Sequence, residues 1–183
     1  MQLDKPIQSR KSVKKFKSKE PDWRDIIECI DATRYAPMAG GHFTPRFILV
    51  NEEESIQKIA NACQQSFVAQ TKYLVVACSN PGTTSKNFED GEKFVRQQAG
   101  AAIQNFLLKI QEKNLSTCWV GYFNEKEIKR ELKIPDSTNV EAVFPIGYEY
   151  RKEKPKRKIE LDRILYFFKW GNKQMKKIKQ INA

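Results

Sequence analysis

Residues 73–79, YLVVACS, form an almost unbroken apolar run, and such a run belongs at the centre of a sheet. Other segments supply its neighbours. RFILVN (46–51) is a short β-rich run, STCWV (116–120) reads as a third strand, and VEAVFPIGYEY (140–150) as a fourth, in which Pro145 marks an edge or a bulge. Helical patterns alternate with these runs. The first has Pro21 near its start, places Trp23, Ile26, Ile27 and Ile30 on one face, and is stopped by Pro37. A second starts at Glu52 and aligns Ile56, Ile59, Ala60, Cys63 and Phe67. A third runs from about Gly91 to Asn114, where the small residues of AGAA (99–102) admit another backbone at close range. A fourth opens on a capping box of Asn124 and Glu127, with Ile128 and Leu132 facing inward. Strands separated by helices predict one sheet covered by helices on both faces.

The 183 residues suit a single domain with a terminal extension. No apolar run approaches the roughly 18 residues of a membrane span, and MQLDKPIQSRK has no apolar core of the secretory kind. A cytoplasmic protein is expected. The four cysteines, Cys29, Cys63, Cys78 and Cys118, stand apart without a CxxC pair, and His42 is the single histidine. That argues against a zinc or other metal site and predicts buried thiols in a reducing compartment.

A formal charge of +11 raises the question of a polyanion partner. The charge is clustered in RKEKPKRK (151–158) and NKQMKKIKQ (172–180), whereas most other lysines alternate with acids along helices. No zinc finger, helix-turn-helix spacing or RNP-like strand accompanies it, so no specific nucleic-acid partner is expected. Between the clusters, LDRILYFFKW sets Leu161, Ile164, Leu165 and Phe168 at helical spacing after the core is complete. Such an apolar arm packs either on a partner subunit or back on its own domain.

No standard catalytic set is present. A Ser-His-Asp or Cys-His arrangement would depend on His42 in AGGHF (39–43), and neither GxGxxG after a strand nor GxxxxGK[ST] occurs. Reactivity is therefore expected from a bound cofactor. The stretch QSRKSVKKF (8–16) offers a place for one. If it is extended, its period of two directs Arg10, Ser12 and Lys14 to one side, and a guanidinium fork, a hydroxyl and an ammonium match a phosphate monoester. A solvated basic arm remains an equal reading of this segment by itself.

Taken in order, five segments resemble the flavin-dependent nitroreductase family. SRKSVKKF (9–16) is similar to its R-[RH]-S-[IVT]-[RK]-x-F, and RYAPMAGGHFTPRFILV (34–50) to its A-P-S-x-x-N-x-Q-P-W-x-F. QSFVAQTKYLVVACS (65–79), AGAAIQNFLLKIQEKNLSTCWVGYF (99–123) and IPDSTNVEAVFPIGYEY (134–150) resemble three further family segments. The match spans about residues 8–170.

The resemblance implies an α+β fold, a three-layer α/β/α sandwich with a mostly antiparallel central sheet. Residues 1–160 would form the FMN-binding domain, and 161–183 an arm exchanged in a homodimer, followed by a basic tail. It further implies that Arg10, Lys11 and Ser12 hold the FMN phosphate with Arg157, and that Lys14 stands by the pyrimidine edge. Residues Pro37, Met38, Ala39 and Gly41 would reach the flavin of the opposite subunit, Gln65 its polar edge, and the backbone of Val120 and Gly121 its N5. The implied activity is hydride transfer from NADH or NADPH to the flavin, then ping-pong reduction of a nitroaromatic or quinone-type acceptor. No side chain is a certain catalyst, and Lys14 gives electrostatic support. Met38, Gly41 and Phe43 depart from the family's Ser, Asn and Gln, Gln98 from a frequent Asp and Lys72 from Pro. These departures keep open an alternative: a flavin-binding or redox-sensing protein with little turnover. The short stretch between Ser79 and Glu92 implies that a long substrate lid is absent.

Overall fold

The computed structural model describes residues 3–82, 89–152 and 157–175. Among these, three strands form one antiparallel sheet in the order β1 (Pro45–Val50), β2 (Tyr73–Ser79), β3 (Asn139–Ile146). Five helices accompany it: α1 (Asp4–Ser9), α2 (Trp23–Asp31), α3 (Glu53–Cys63), α4 (Gly91–Glu112) and α5 (Glu125–Leu132). The apolar run of β2 is central, paired from Pro45↔Ser79 to Val50↔Leu74 on one side and from Tyr73↔Ile146 to Ser79↔Asn139 on the other.

Alternation along β2 splits the core in two. Leu74, Val76 and Cys78 face α3 and α5, where Ile56, Ile59, Cys63 and Ile128 are buried. Val75 and Ala77 face α2 and α4, where Ile26, Cys29, Ile103, Phe106 and Ile110 are buried. The expected three-layer sandwich follows. Phe106 meets Phe144 edge-on at 5.4 Å, and burying each ring contributes about 1.5–3 kcal/mol. No helix among the described residues is long and apolar enough to cross a membrane.

Several local expectations are corrected. The segment 116–120 is not a continuous strand: it touches β3's line only at Ser116↔Gly147 and Val120↔Val143. Those two bridges place Cys118 opposite Pro145, which has no N–H to donate, so the ladder opens where a third rung would form. β3 is an edge strand of the described sheet, one of the two readings of Pro145, and its bulge falls at Glu141 instead, because Ala77 pairs with Ala142 and Cys78 with Val140. The Asn124 side chain donates to the Glu127 carboxylate at 2.7 Å instead of capping the backbone, so the reciprocal box is not made. On α2, Ile26 and Cys29 are buried, while Trp23 and Ile27 stay about half exposed. Asp22 begins that helix, its carboxylate accepting the Arg24 N–H at 2.9 Å.

The apolar arm is not a helix beyond a 3-10 turn at Leu161–Arg163, and Leu161, Ile164, Phe168 and Trp170 are exposed. Residues 83–88 of the turn after β2, 153–156 of the basic linker and 176–183 of the tail lie outside the described residues.

Gly147 follows β3 and lets the N-terminal segment pass close. A Cβ there would stand 3.0 Å from Phe16 Cδ1 and 3.3 Å from Thr71 Cγ2. The Phe16 ring is buried and has no room to swing away. Gly147→Ala is therefore expected to lower stability by about 1–3 kcal/mol, read as a lower midpoint in urea at unchanged slope.

Candidate functional site

After α1 the chain turns at Arg10 (φ −57°, ψ 130°) and runs extended to Phe16. It is pinned by main-chain bonds, Val13 N–H to the Thr117 carbonyl and Lys17 N–H to the Tyr148 carbonyl, both 2.9 Å, and by the Phe16↔Glu149 bridge. Val13 and Phe16 are buried, so the segment is part of the fold and not a loose arm.

Burial pushes the Cys118 thiol up, and Lys14, a hydrogen bond from Ser12, and Arg10 pull it back, so all three act on one neighbourhood. Lys11 is instead paired with an acid, its ammonium 2.6 Å from the Glu149 carboxylate. Neither Arg10 nor Lys14 has an ion-pair partner among the described residues. Cationic groups left unanswered on one wall are open to an external anion. Cys29, despite Lys113 and Lys109 nearby, and Cys63 are pushed up to about 12, above all by burial.

Two further segments approach this wall. Lys14 Nζ lies 5.4 Å from the centre of the Phe67 ring, in the 3-10 turn Ser66–Gln70 that Gln65 precedes. The Gln65 main chain is fixed by its N–H to the Ala60 carbonyl (3.3 Å) and by accepting the Val68 N–H (3.0 Å). Val120 exchanges two 3.0 Å bonds with Val143, and the Asn124 N–H reaches the Ala62 carbonyl at 2.8 Å. Gly121 is thereby held exposed between anchors, near the end of α3.

Residues 37–41 are built separately. Gly40 and Gly41 both have positive φ, 59° and 76°, in a tight turn closed by the His42 N–H on the Ala39 carbonyl at 3.1 Å. Left-handed backbone suits glycine and asparagine alike, which explains why Gly41 can stand where the resembling segment has Asn. Gln98 of α4 clamps the exit of this turn. Its amide oxygen accepts the Thr44 N–H (2.5 Å) and hydroxyl (3.1 Å), and its amide nitrogen donates to the His42 carbonyl (3.0 Å). That role was missed from sequence, although a glutamine within the buried stripe of Val95, Ala99 and Ala102 was the signal available. Arg157 is also apart, its guanidinium on Glu160 at 2.6 Å and largely exposed.

Arg10, Ser12 and Lys14 thus meet beside Cys118, two residues before Val120, and Lys14 lies against Phe67, two residues after Gln65, while Arg157 is engaged by Glu160. The family model for the Nitroreductase family matches residues 7–90 and 64–148. The chain belongs to the nitroreductase family. A nitroreductase family protein of Clostridium novyi NT is 30% identical, with a TM-score of 0.75 over 94% of this chain and 96% of that one. An FMN-dependent nitroreductase of Clostridium difficile superposes with a TM-score of 0.77 at 22% identity, covering 91% and 99% of the two chains. A protein of Archaeoglobus fulgidus, provisionally named NADH dehydrogenase/NAD(P)H nitroreductase, is 24% identical over 149 residues, 79% of this chain and 83% of that one.

Proposed function

We propose that the protein is an NAD(P)H-dependent flavin oxidoreductase that binds FMN against the wall of Arg10, Ser12 and Lys14. The observation that carries this is that Arg10 and Lys14 on this wall form no ion pair among the described residues, on a chain whose family includes a solved FMN-dependent neighbour. The donor set fits the cofactor. Arg10 supplies a bidentate fork and Ser12 a hydroxyl for the phosphate, and Lys14 a fixed charge one period further along. Lys11 borders the same depression, but its charge is partly answered by Glu149, so it adds less. Arg157 joins when it exchanges Glu160 for the phosphate.

Bound FMN would supply the redox chemistry, accepting a hydride from NADH or NADPH and passing it on to an electron-poor acceptor of the nitroaromatic or quinone type. The chain's residues position and polarise. Lys14 places an ammonium by the pyrimidine edge, where negative charge gathers on reduction, and so favours that step. Gln65 offers an amide to the polar edge, and the exposed backbone at Val120 and Gly121 leaves the reactive side open. Because donor and acceptor use one space in turn, the kinetics are ping-pong.

A homodimer completes the site in this reading. Pro37, Met38, Ala39 and Gly41 close on the flavin of the partner, and the exposed Leu161, Ile164, Phe168 and Trp170 of the arm (161–183) cover apolar surface on it, leaving 1–160 as the FMN-binding domain. Four buried free cysteines suit a cytoplasmic protein.

Spectroscopy tests the proposal. The purified protein should be yellow and dimeric and should bleach when NADPH or NADH is added anaerobically. Lys14→Ala should keep its colour and bleach at least about tenfold more slowly, the expected cost of losing one fixed charge by the ring. A yellow protein that no reduced dinucleotide bleaches would favour the flavin-binding sensor instead. A colourless one that binds generic DNA would end the flavin reading.

A further inference from the structure

The depression beside Ser12 holds more positive charge than one FMN phosphate uses. Its lining carries Lys11, Lys14, Lys15 and Arg151 against the single carboxylate of Glu149, which Lys11 already engages. The Phe16↔Glu149 bridge, continued by the Tyr150 N–H on the Lys15 carbonyl at 2.9 Å, sets Lys14 opposite Arg151 in antiparallel register. Like charges facing each other across paired strands destabilise the pair. No carboxylate forms an ion pair with Lys15 or Arg151 among the described residues. Stability does not explain these two cations.

Tyr150 gathers them. Lys15 Nζ stands 4.7 Å from the centre of its ring, and the Arg151 guanidinium carbon 5.7 Å from the same centre. A phosphate monoester carries about two negative charges near neutral pH, and Arg10, with Lys14 close by, answers that of FMN. Lys15 and Arg151, which line the same depression and both approach the Tyr150 ring, remain for a second anion.

We propose that Lys15 and Arg151, held on Tyr150, form a second anion subsite that takes the ribose 2′-phosphate of NADPH and makes the protein prefer NADPH to NADH. The inference rests on the flavin reading above. The two dinucleotides differ in that one phosphate, so a pair of cations beside the flavin wall is a means of telling them apart. A charge-assisted contact to phosphate is worth about tenfold in binding.

The test is steady-state turnover of the holoprotein with p-benzoquinone, comparing kcat/KM for NADPH and NADH. Wild type should favour NADPH by about tenfold or more, and 2′,5′-ADP should inhibit it better than 5′-AMP. Lys15→Ala and Arg151→Ala should each cut the NADPH/NADH ratio by about tenfold through KM, with FMN content unchanged, and Lys15→Arg should restore it. Lys126→Ala, on the exposed face of α5, controls for net charge and should leave the ratio alone. A wild type that prefers NADH, or a ratio unmoved by both variants while FMN is bound and turnover proceeds, overturns the subsite only. A colourless wild type that oxidises neither dinucleotide overturns the flavin reading and the subsite with it.

Discussion

Arg10→Ala should come through gel filtration without its flavin, with FMN affinity lowered by about a hundredfold. The guanidinium is the one group on the wall able to give two parallel hydrogen bonds to a phosphate, and losing both at a partly shielded site amounts to about 3 kcal/mol. Arg10 has no ion-pair partner among the described residues, so its removal leaves no orphaned acid and the fold should be intact. Fluorescence of released FMN measures the affinity, and circular dichroism checks the fold. Lys14→Ala supplies the contrast: retention close to wild type, with reduction slowed. If both variants retain FMN and reduce it at the wild-type rate, the assignment of phosphate end and ring end along this strand is wrong.

The division of labour between Arg10 and Lys14 is implied by the family resemblance, whereas the expectation that both lie on one side depends on a local rule, alternation in an extended segment. The same holds for β2, whose seven-residue run needed no partner to be recognised as central. What sequence misjudged depends on residues far apart. The segment 116–120 has strand composition, and it loses its middle rung to Pro145, twenty-seven positions away from Cys118. Asn124 and Glu127 have the spacing of a capping box, but the carboxylate takes the amide's own N–H₂. The arm after residue 160 has helical spacing but only a short 3-10 turn, and its Leu161, Ile164, Phe168 and Trp170 stay exposed among the described residues. A pattern alone cannot stabilise a helix; tertiary burial does. The pairing of Lys11 with Glu149 and the gathering of Lys15 and Arg151 on Tyr150 were invisible for the same reason, both being set by the bridge between residues 16 and 149.

Gln98 links that long-range order to the site, and substituting it should have the largest effect on stability of any single polar change in the fold. The side chain is 4% exposed, and all three of its hydrogen bonds go to residues 42–44. Gln98→Leu keeps the volume and strands the Thr44 N–H and hydroxyl and the His42 carbonyl in the interior. At about 1–2 kcal/mol for each unsatisfied group, the loss is roughly 3–5 kcal/mol, a fall of about 10 °C or more in Tm. Gln98→Glu separates hydrogen bonding from packing. Its carboxylate can still accept from Thr44, but its second oxygen then faces the His42 carbonyl, two acceptors in contact with no proton between them. Burial and that carbonyl both favour the neutral acid, so the folded-state pKa of the introduced carboxyl lies above its unfolded value of about 4.3. The sign follows from linkage: the variant should match wild type below that unfolded value, where the protonated acid donates to His42, and lose stability as pH rises through the folded-state value. Urea unfolding of both proteins between pH 4 and 8 measures the difference. A gap independent of pH would mean that the amide only fills space; a gap that opens with pH, accompanied by weaker FMN retention in the dimer, would mean that one buried amide sets the turn of Gly40 and Gly41 against the flavin.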